Sequence, residues 1–350
     1  MQAHDDILEL VRQKSAEAVK KTQRALILQP GAIGDCILTL PLAAYMKDAL
    51  GLGGIDILGH TEYIGFFPGR SCVDGVRSID SMDLHRLYAK ANKFELKDKD
   101  PLISAFGDYA WIATFLGESN SNFEQNLIFT ANCSHSAEVI TLSIKPPKGF
   151  SEHLADFYIQ QFIAQSGHSL HSRKFQAGDC LIKATEADIN TGKELLREIG
   201  LGSGEKLMVI QPGSGGTKKC WHLENFLAVA GELDSRGVEI VFLLGPAEMD
   251  RFSDAKIKKI SSVGKCLKNL SLTKVLGLLS CVDGFIGNDS GITHLAAALG
   301  VRTYGVFGPT NPAVYKSIGP AVTVFTGNTA SFARKPSLSL QQKILKVLTV

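Results

Sequence analysis

Short, uninterrupted apolar runs alternate with helix-patterned segments along most of this 350-residue chain. An apolar run of about four to eight residues is typical of a parallel strand that is buried on both faces. Strands that alternate with helices predict parallel sheets covered by helices on both sides. We therefore predict an α/β fold, with strands at 25–28, 55–58, 109–112, 207–210, 238–244, 284–286 and 303–307.

The alternation has one interruption, and this predicts the domain organisation. A chain of this length usually forms about two domains, and the pattern stops around 167–175 before it restarts at Lys206. The simplest architecture is two Rossmann-like domains that face each other across a cleft. We predict a first domain at 1–170, opened by a helix at 7–19, an interdomain linker region at 171–205 and a second domain at 206–337.

Composition and charge exclude several classes of protein. A net charge of +2 does not predict an extended nucleic-acid surface. The apolar runs are far shorter than the ~20 residues that cross a bilayer, and the N-terminus has no secretory apolar region. The seven cysteines form no C-x-x-C pair, which argues against a disulfide framework or a zinc site. We expect a cytoplasmic protein with at most peripheral membrane contact, and no bound metal.

Residues 287–291, Gly-Asn-Asp-Ser-Gly, follow a predicted strand and open a helix. A helix start offers unpaired N–H groups and a positive dipole end, which suit a diphosphate. Asp289 can accept hydrogen bonds from sugar hydroxyls, and His294 lies one helical turn further on. Ordinary capping by Asp289 or Ser290, with His294 packed in the core, fits the residues equally well.

A glycine-rich loop follows the first strand of the second half, at 211–221. Its glycines, hydroxyls and lysines can surround a diphosphate, and an ammonium there can neutralise charge on a leaving group. The order of residues is not that of a Walker A motif, and a solvated turn is the competing interpretation. Glu248, after a Gly-Pro turn, is a candidate ribose contact or a first-turn carboxylate favoured by the helix dipole.

The turn at 31–35, Gly-Ala-Ile-Gly-Asp, follows the first strand and lacks the G-x-G-x-x-G dinucleotide pattern. A carboxylate on such a turn is well placed as a general base, so Asp35 is a candidate, with a helix cap as the alternative. Pro41 favours a regular helix that starts near Thr39, because proline is tolerated in a first turn.

Four of these motifs, taken in order, resemble those of a known family. They are 31–41, the Pro-Gly-Ser loop that ends in Lys219 and Trp221, the Gly-Pro-x-Glu turn at 245–248, and 288–296. The ordered set resembles the ADP-heptose:lipopolysaccharide heptosyltransferases, glycosyltransferase family 9. The resemblance implies the two-Rossmann-domain GT-B architecture, inversion of anomeric configuration, and chemistry without a metal or cofactor.

The resemblance also implies a role for each matched residue. Asp35 resembles the general base, on an acceptor-side loop with Gly31 and Gly34. Asp289 resembles the contact to the transferred sugar, and Glu248 the contact to the ribose. The remaining donor-binding candidates are Gly213, Ser214, Lys219, Asn288, Ser290, Gly291 and His294. The helix at 338–350 would pack back on the first domain.

Two parts of the chain depart from the family pattern. His222 stands where proline usually follows the tryptophan. Residues 51–148, which would hold the acceptor, have little that matches. Their basic residues are candidate contacts to an anionic lipid-linked saccharide or plain surface charges: Arg70, Arg77, Arg86 and Lys90.

The resulting hypothesis is an inverting glycosyltransferase that moves a sugar, heptose from ADP-heptose, onto a lipopolysaccharide core or a related lipid-linked saccharide. A nucleotide-sugar epimerase or hydrolase of the same architecture and a non-catalytic nucleotide-sugar-binding protein are the alternatives. A dinucleotide oxidoreductase is disfavoured by the missing glycine fingerprint. No nucleic-acid partner is expected, and the enzyme would work in the cytoplasm, at the inner face of the inner membrane.

Overall fold

The computed structural model describes residues 23–167, 180–202, 204 and 206–348. The predicted helix at 7–19 and residues 171–179, 203 and 205 of the predicted linker region lie outside these residues. The described residues divide into two compact units, each built on one parallel sheet; Ile33–Leu38 and Ser151–His153 group with the second unit.

The first sheet has five parallel strands in the order β3-β2-β1-β4-β5. They are β1 (Arg24–Gln29), β2 (Gly54–Gly59), β3 (Gly75–Ser78), β4 (Trp111–Thr114) and β5 (Glu138–Thr141). The helices of this half are α1 (Ile33–Ala49), α2 (Thr61–Ile64), α3 (Pro101–Phe106), α4 (Asn122–Ala131) and α5 (Leu154–Ser166). Short 3₁₀ helices at Ile79–Ser81, Leu84–Tyr88 and Ala91–Lys93 occupy the stretch in which the sequence shows no clear pattern.

The second sheet has six parallel strands in the order β11-β10-β9-β6-β7-β8. They are β6 (Lys206–Gln211), β7 (Val238–Leu244), β8 (Lys265–Lys268), β9 (Gly284–Asn288), β10 (Thr303–Phe307) and β11 (Val322–Thr326). The helices are α6 (Glu186–Glu198), α7 (Leu223–Asp234), α8 (Pro246–Arg251), α9 (Asp254–Ser261), α10 (Leu272–Leu279), α11 (Gly291–Ala298), α12 (Pro312–Tyr315) and α13 (Leu338–Val347).

Both sheets have the strand order of Rossmann-like folds, so the predicted fold class is confirmed. In such sheets ligands bind outside the carboxyl ends of the strands, where the strand order reverses. In the second sheet this point lies between β6 and β9, which pair from Met208 with Gly284 to Gln211 with Gly287. The central strands are buried almost completely, which accounts for their uninterrupted apolar sequences.

Helix α1 differs from the prediction, because it begins at Ile33 and contains Pro41 in its interior. Thr39 is not a cap: it is buried, and its hydroxyl accepts a hydrogen bond of 2.7 Å from the Gln29 amide. The side chains of Ile37 and Leu40 are fully buried. Burial of this helix against its neighbours therefore outweighs the one backbone hydrogen bond that proline removes.

The predicted linker region contains helix α6, which packs on α10 within the second unit. Gly192 and Gly277 meet at this crossing, where a Cβ on Gly192 would overlap the Gly277 carbonyl oxygen. The two glycines let the helix backbones approach closely, so this segment is a docked helix and not a plain connection.

The C-terminal helix α13 was predicted to pack on the first domain, and this is wrong: it is part of the second unit. Leu340 and Ile344, four residues apart on one face, lie in the core of the second sheet. Gln341 donates a hydrogen bond of 2.8 Å to the buried Asn225 of α7. The face of the helix that carries Leu340 and Ile344 is therefore buried in the second unit.

Candidate functional site

The second unit gathers the predicted donor-binding residues at the carboxyl edge of its sheet. Strand β6 lies between β7 and β9, so the three loops that leave these strands are neighbours. Motifs far apart in sequence thereby form one group at the point where the strand order reverses. Its members are Gly213, Ser214, Lys219, Glu248, Asn288, Asp289, Ser290, Gly291 and His294.

Asn288, the last residue of β9, is fully buried and connects two of these loops. Its amide nitrogen donates to the carbonyls of Pro212 and Gly213 at 2.8 and 3.1 Å. Its amide oxygen accepts from the Trp221 N–H at 2.7 Å. The polar atoms of Asn288 are therefore engaged within the protein, where they hold the glycine-rich loop against β9.

Replacing Asn288 with alanine is expected to destabilise the protein, because three buried backbone groups lose their partner. Each unsatisfied buried group costs about 1–3 kcal/mol. We expect the urea unfolding curve to move to lower concentration and the affinity for nucleotide to fall with it. The exposed Asn92 provides the control variant Asn92→Ala. Unchanged unfolding in Asn288→Ala would contradict the bracing role of this side chain.

Gln211, which ends β6, is a buried member of the site that is absent from the sequence-predicted set. Its amide oxygen accepts from the Ser290 hydroxyl at 2.8 Å, and its nitrogen donates to Glu248 Oε1 at 3.4 Å. Ser290 also caps α11, since its hydroxyl accepts from the Thr293 N–H. The sequence feature that could have identified Gln211 is a polar residue at the end of an apolar strand. Gln29 occupies the same position at the end of β1 and accepts from the Gly31 N–H at 2.9 Å.

Glu248 is buried in the first turn of α8 and serves as a helix cap. Its Oε2 accepts from the Gly245 N–H at 2.8 Å. Burial raises the pKa of this carboxyl, although hydrogen bonds from the backbone of Glu248 and Gly245 oppose the rise. A Cβ on Gly213 would overlap the Glu248 carboxylate, so only glycine fits at this point of the loop. Glu248 lies in the first turn of α8, as the first-turn-carboxylate interpretation predicts; its contact to a ribose stays a prediction.

Asp289 and Lys219 form an ion pair of 2.7 Å between Nζ and Oδ2. The carboxylate is 7% exposed, whereas the lysine side chain is 42% exposed. His294 Nε2 lies 3.8 Å from the other oxygen, an ion-pair distance rather than a hydrogen bond. Burial alone would raise the pKa of Asp289, but the neighbouring His294 and the hydrogen-bonded Lys219 ammonium outweigh it and lower the pKa to about 2. Asp289 is therefore a carboxylate at neutral pH.

Arg251, at the end of α8, holds the glycine-rich loop from the other side. Its guanidinium donates to the carbonyls of Ser214 and Gly215 at 2.7 and 2.6 Å. The Ser214 hydroxyl in turn donates to the Asp289 carbonyl at 2.7 Å. The sequence does not predict the role of Arg251, because no motif connects this residue with the loop that it contacts.

The arrangement can bind an anion. The ammonium of the half-exposed Lys219 side chain lies beside the start of α11, where Gly291 is half-buried and the helix dipole is positive. The loop that carries the lysine is held by Asn288 and Arg251. These features suit a phosphate or diphosphate group, with the Asp289 carboxylate at hand for a neighbouring hydroxyl.

Asp35 lies apart in sequence from this group, in the first turn of α1 after the carboxyl end of β1. Gly31 and Gly34 flank it in the same turn, and the Gln29 side chain fixes the turn through its bonds to Gly31 and Thr39. Asp35 is half-buried. A carboxylate in this position can accept a proton from a hydroxyl.

Three of the four basic residues considered as acceptor contacts have partners inside the first unit. Arg70 donates to the Phe66 carbonyl at 3.4 Å. Arg86 donates to both oxygens of Asp100, at 2.9 and 2.8 Å, and these hydrogen bonds hold the pKa of Asp100 well below its usual range. Arg77 donates to the Ala105 carbonyl. These three arginines therefore stabilise the fold, and Lys90 is exposed.

Comparisons with known proteins agree with the fold and identify the family. The family model for glycosyltransferase family 9 (heptosyltransferase) matches residues 138–345. Lipopolysaccharide heptosyltransferase 3 of Escherichia coli is 30% identical over 295 residues, which cover 79% of this chain and 81% of that protein.

Two solved structures share the fold. The glycosyl transferase family 9 protein from Veillonella parvula DSM 2008 has a TM-score of 0.65 and 19% identity, over 93% of this chain and 95% of its own. The E. coli heptosyltransferase WaaC with ADP has a TM-score of 0.62 and 17% identity, over 93% of this chain and 99% of its own. The family model covers more than half of the chain and the E. coli relative most of it, so this protein belongs to glycosyltransferase family 9, the heptosyltransferases.

Proposed function

We propose that this protein is an inverting glycosyltransferase that moves heptose from ADP-heptose onto a lipopolysaccharide core or a related saccharide. The observation that carries the proposal is the ammonium of the half-exposed Lys219 side chain, which lies beside the start of α11 where the strand order of the second sheet reverses. Family membership favours transfer of heptose. The names of the relatives supply the candidates: one is a lipopolysaccharide heptosyltransferase, and another was solved with ADP.

In this proposal the second unit binds the donor. Lys219 and the start of α11 hold the diphosphate and stabilise the charge that develops on it as it leaves. Asp289 accepts hydrogen bonds from the transferred sugar. The lysine bonds to Asp289, so donor binding would give it a second, competing anionic partner. Gly213, Ser214, Asn288 and Ser290 shape the loops rather than supply the main charge.

Asp35 is the proposed general base. An acceptor hydroxyl attacks the anomeric carbon, a new C–O bond forms, and the bond from that carbon to the diphosphate oxygen breaks. The bonding electrons leave with ADP, and the hydroxyl proton passes to Asp35. A single displacement of this kind inverts the configuration at the anomeric carbon. The first unit would hold the acceptor.

The test is an assay of product formation and nucleotide release with matched substrates. With ADP-heptose and a lipopolysaccharide-core acceptor, we expect a heptosylated product and one ADP for each transfer. With donor alone, we expect little release of ADP. Rapid turnover of donor without acceptor would favour the epimerase or hydrolase alternative, and tight donor binding without turnover in either arm would favour a nucleotide-sugar-binding protein.

None of the described helices combines the length and apolarity that a bilayer-crossing segment needs. We propose that the enzyme works in the cytoplasm, at the membrane face where a lipid-linked acceptor would be available.

A further inference from the structure

The second unit has a cavity at the amino ends of its central strands. Its volume is about 800 Å³, and it lies between α6, the residues that follow α10 and the first residues of β6. Pockets for small organic molecules have volumes of about 300–1,000 Å³. The donor loops leave the carboxyl ends of the same strands, so the cavity and the donor-binding group lie at opposite edges of one sheet.

The buried part of the cavity lining is apolar. Leu196 of α6, Leu201 and Leu207 of β6 are buried. Ile189 lies about two helical turns before Leu196 on α6 and is half-buried, and residues at this spacing share one face of a helix. Helix α6 and strand β6 thus both present apolar side chains to the cavity, and an apolar ligand surface placed there would leave water.

Cationic side chains line the outer part of the cavity. Lys193 and Arg197 are four residues apart on α6, and Lys206 begins β6; all three are exposed. None of them forms an ion pair or a side-chain hydrogen bond within the described part of the chain. Like charges four residues apart destabilise a helix. An anion bound between these side chains would offset that cost.

Asp283 supplies the one carboxylate among the described lining residues. Its Oδ2 accepts a hydrogen bond of 2.8 Å from the Leu207 N–H, and its own N–H donates to the Leu207 carbonyl at 3.0 Å. The carboxylate is therefore held by the backbone at the start of β6. Three positive side chains and one negative side chain leave the described lining with an excess of positive charge.

We propose that this cavity binds a small organic anion that has an apolar body. The anionic group, a carboxylate, sulfonate or phosphate, lies against Lys193, Arg197 and Lys206, and the apolar body lies against Leu196 and Leu207. A guanidinium suits such groups because its planar donors match their oxygens. An inorganic ion would leave the apolar surface in water, and an uncharged apolar molecule would leave the cations without a partner. Charge and apolar surface together thus select one class of ligand.

The inference goes beyond the proposed function and does not rest on it. Gln211, which belongs to the donor-binding group, ends β6, whereas Leu207 lies at the cavity. The residues between them span about 13 Å of strand. A ligand in the cavity therefore leaves the donor loops free, and a nucleotide can bind at the same time.

A fluorescence titration with a matched pair of dyes tests the inference. Anilinonaphthalene sulfonate is an apolar ring system with one anionic group, and phenylnaphthylamine is the same ring system without that group. We expect the full chain to bind the sulfonate at least about tenfold more tightly than the uncharged dye, and less tightly as the salt concentration increases. Inorganic phosphate, an anion without an apolar body, should displace the sulfonate only at concentrations at least about a hundredfold higher than those of the dye.

Two variants locate the bound dye. Lys193→Gln with Arg197→Gln is expected to weaken sulfonate binding by about tenfold or more, and Lys206→Gln by about threefold. Both should bind phenylnaphthylamine as before, because the apolar surface is kept. The matched control, Lys258→Gln with Lys268→Gln, removes exposed charges from α9 and β8 and should bind the sulfonate normally. Thermal unfolding checks that each variant is folded.

Several results would contradict the assignment of this cavity. Equal affinity for the two dyes, or no binding of the sulfonate, would overturn it. Normal sulfonate binding by the Lys193 and Arg197 variant, or an equal loss in the control variant, would do the same. Saturating ADP should leave the sulfonate in place, and displacement by ADP would show that the dye occupies the donor site instead. If ADP does not bind at all, the proposed function fails, while the dye titrations still decide on the cavity.

Discussion

Replacing Asp35 with alanine is expected to lower the turnover number for heptosyl transfer by about 10²–10⁴-fold, the usual contribution of a general base. The carboxylate lies in the first turn of α1, beyond the carboxyl end of β1, where we propose that it takes the proton of the acceptor hydroxyl. The dissociation constant for the nucleotide sugar should stay the same, because the proposed base acts on the acceptor hydroxyl and is not proposed to hold the donor. Steady-state kinetics and calorimetry measure the two quantities separately.

The control for this experiment is Asp48→Asn, which removes an exposed carboxylate from the last turn of the same helix. Asp35 also lies near the positive end of the α1 dipole, so its removal has a second expected effect, a loss of stability of about 0.3–1 kcal/mol. Thermal unfolding measures that loss. If Asp35→Ala is folded and turns over at a normal rate, Asp35 is not the base.

Replacing Lys219 with methionine is expected to weaken the binding of ADP and ADP-heptose by about tenfold to a hundredfold. A hydrogen bond between charged groups contributes about 1.5–3 kcal/mol, and methionine keeps most of the side-chain length while it removes the ammonium. Lys218→Met is the matched control, since this neighbouring lysine is also exposed. Calorimetry with ADP measures the affinity, and equal affinities for the two variants would exclude Lys219 from the diphosphate site.

The same variant has a consequence for acid stability. The pKa of Asp289 is lowered to about 2 from an ordinary value of 3.8, so its ionisation stabilises the folded state above about pH 4. That contribution is lost as the pH falls through about 2. Without the Lys219 ammonium, the pKa of Asp289 lies closer to its ordinary value, so the contribution is smaller at neutral pH and is lost completely at a higher pH. Acid unfolding followed by circular dichroism should therefore start earlier in Lys219→Met than in Lys218→Met.

Most of the candidate site can be identified from local sequence. A buried parallel strand has an apolar run as its signature, and the loop after it contains the glycines and polar residues that can meet a ligand. Lys219, Asp289 and Asp35 all lie in such loops, which is why the sequence alone is enough to select them. The apolar runs also locate the central strands of both sheets to within a few residues.

The connections between these loops cannot be predicted in the same way. Gln211 and Arg251 brace the site only because β6 comes to lie between β7 and β9, and no sequence spacing reports that order. The motif predicts that Asn288 contacts a ligand, but its polar atoms bond to the loop on the neighbouring strand. Whether a polar side chain faces a ligand or its own fold depends on burial, which is a property of the folded chain.

The sequence by itself determined the fold class, the family and the residue types at each strand end, because these are written in local periodicity and short motifs. The tertiary structure decided three other features. Helices α6 and α13 pack within the second unit, and the side chains of Glu248 and Asn288 bond to groups of the protein itself. The third feature is the ion pair of Lys219 with Asp289. Each of these depends on which surfaces and charges meet when distant segments pack. The packing energy is shared between residues far apart in the chain, so no local sequence pattern predicts it.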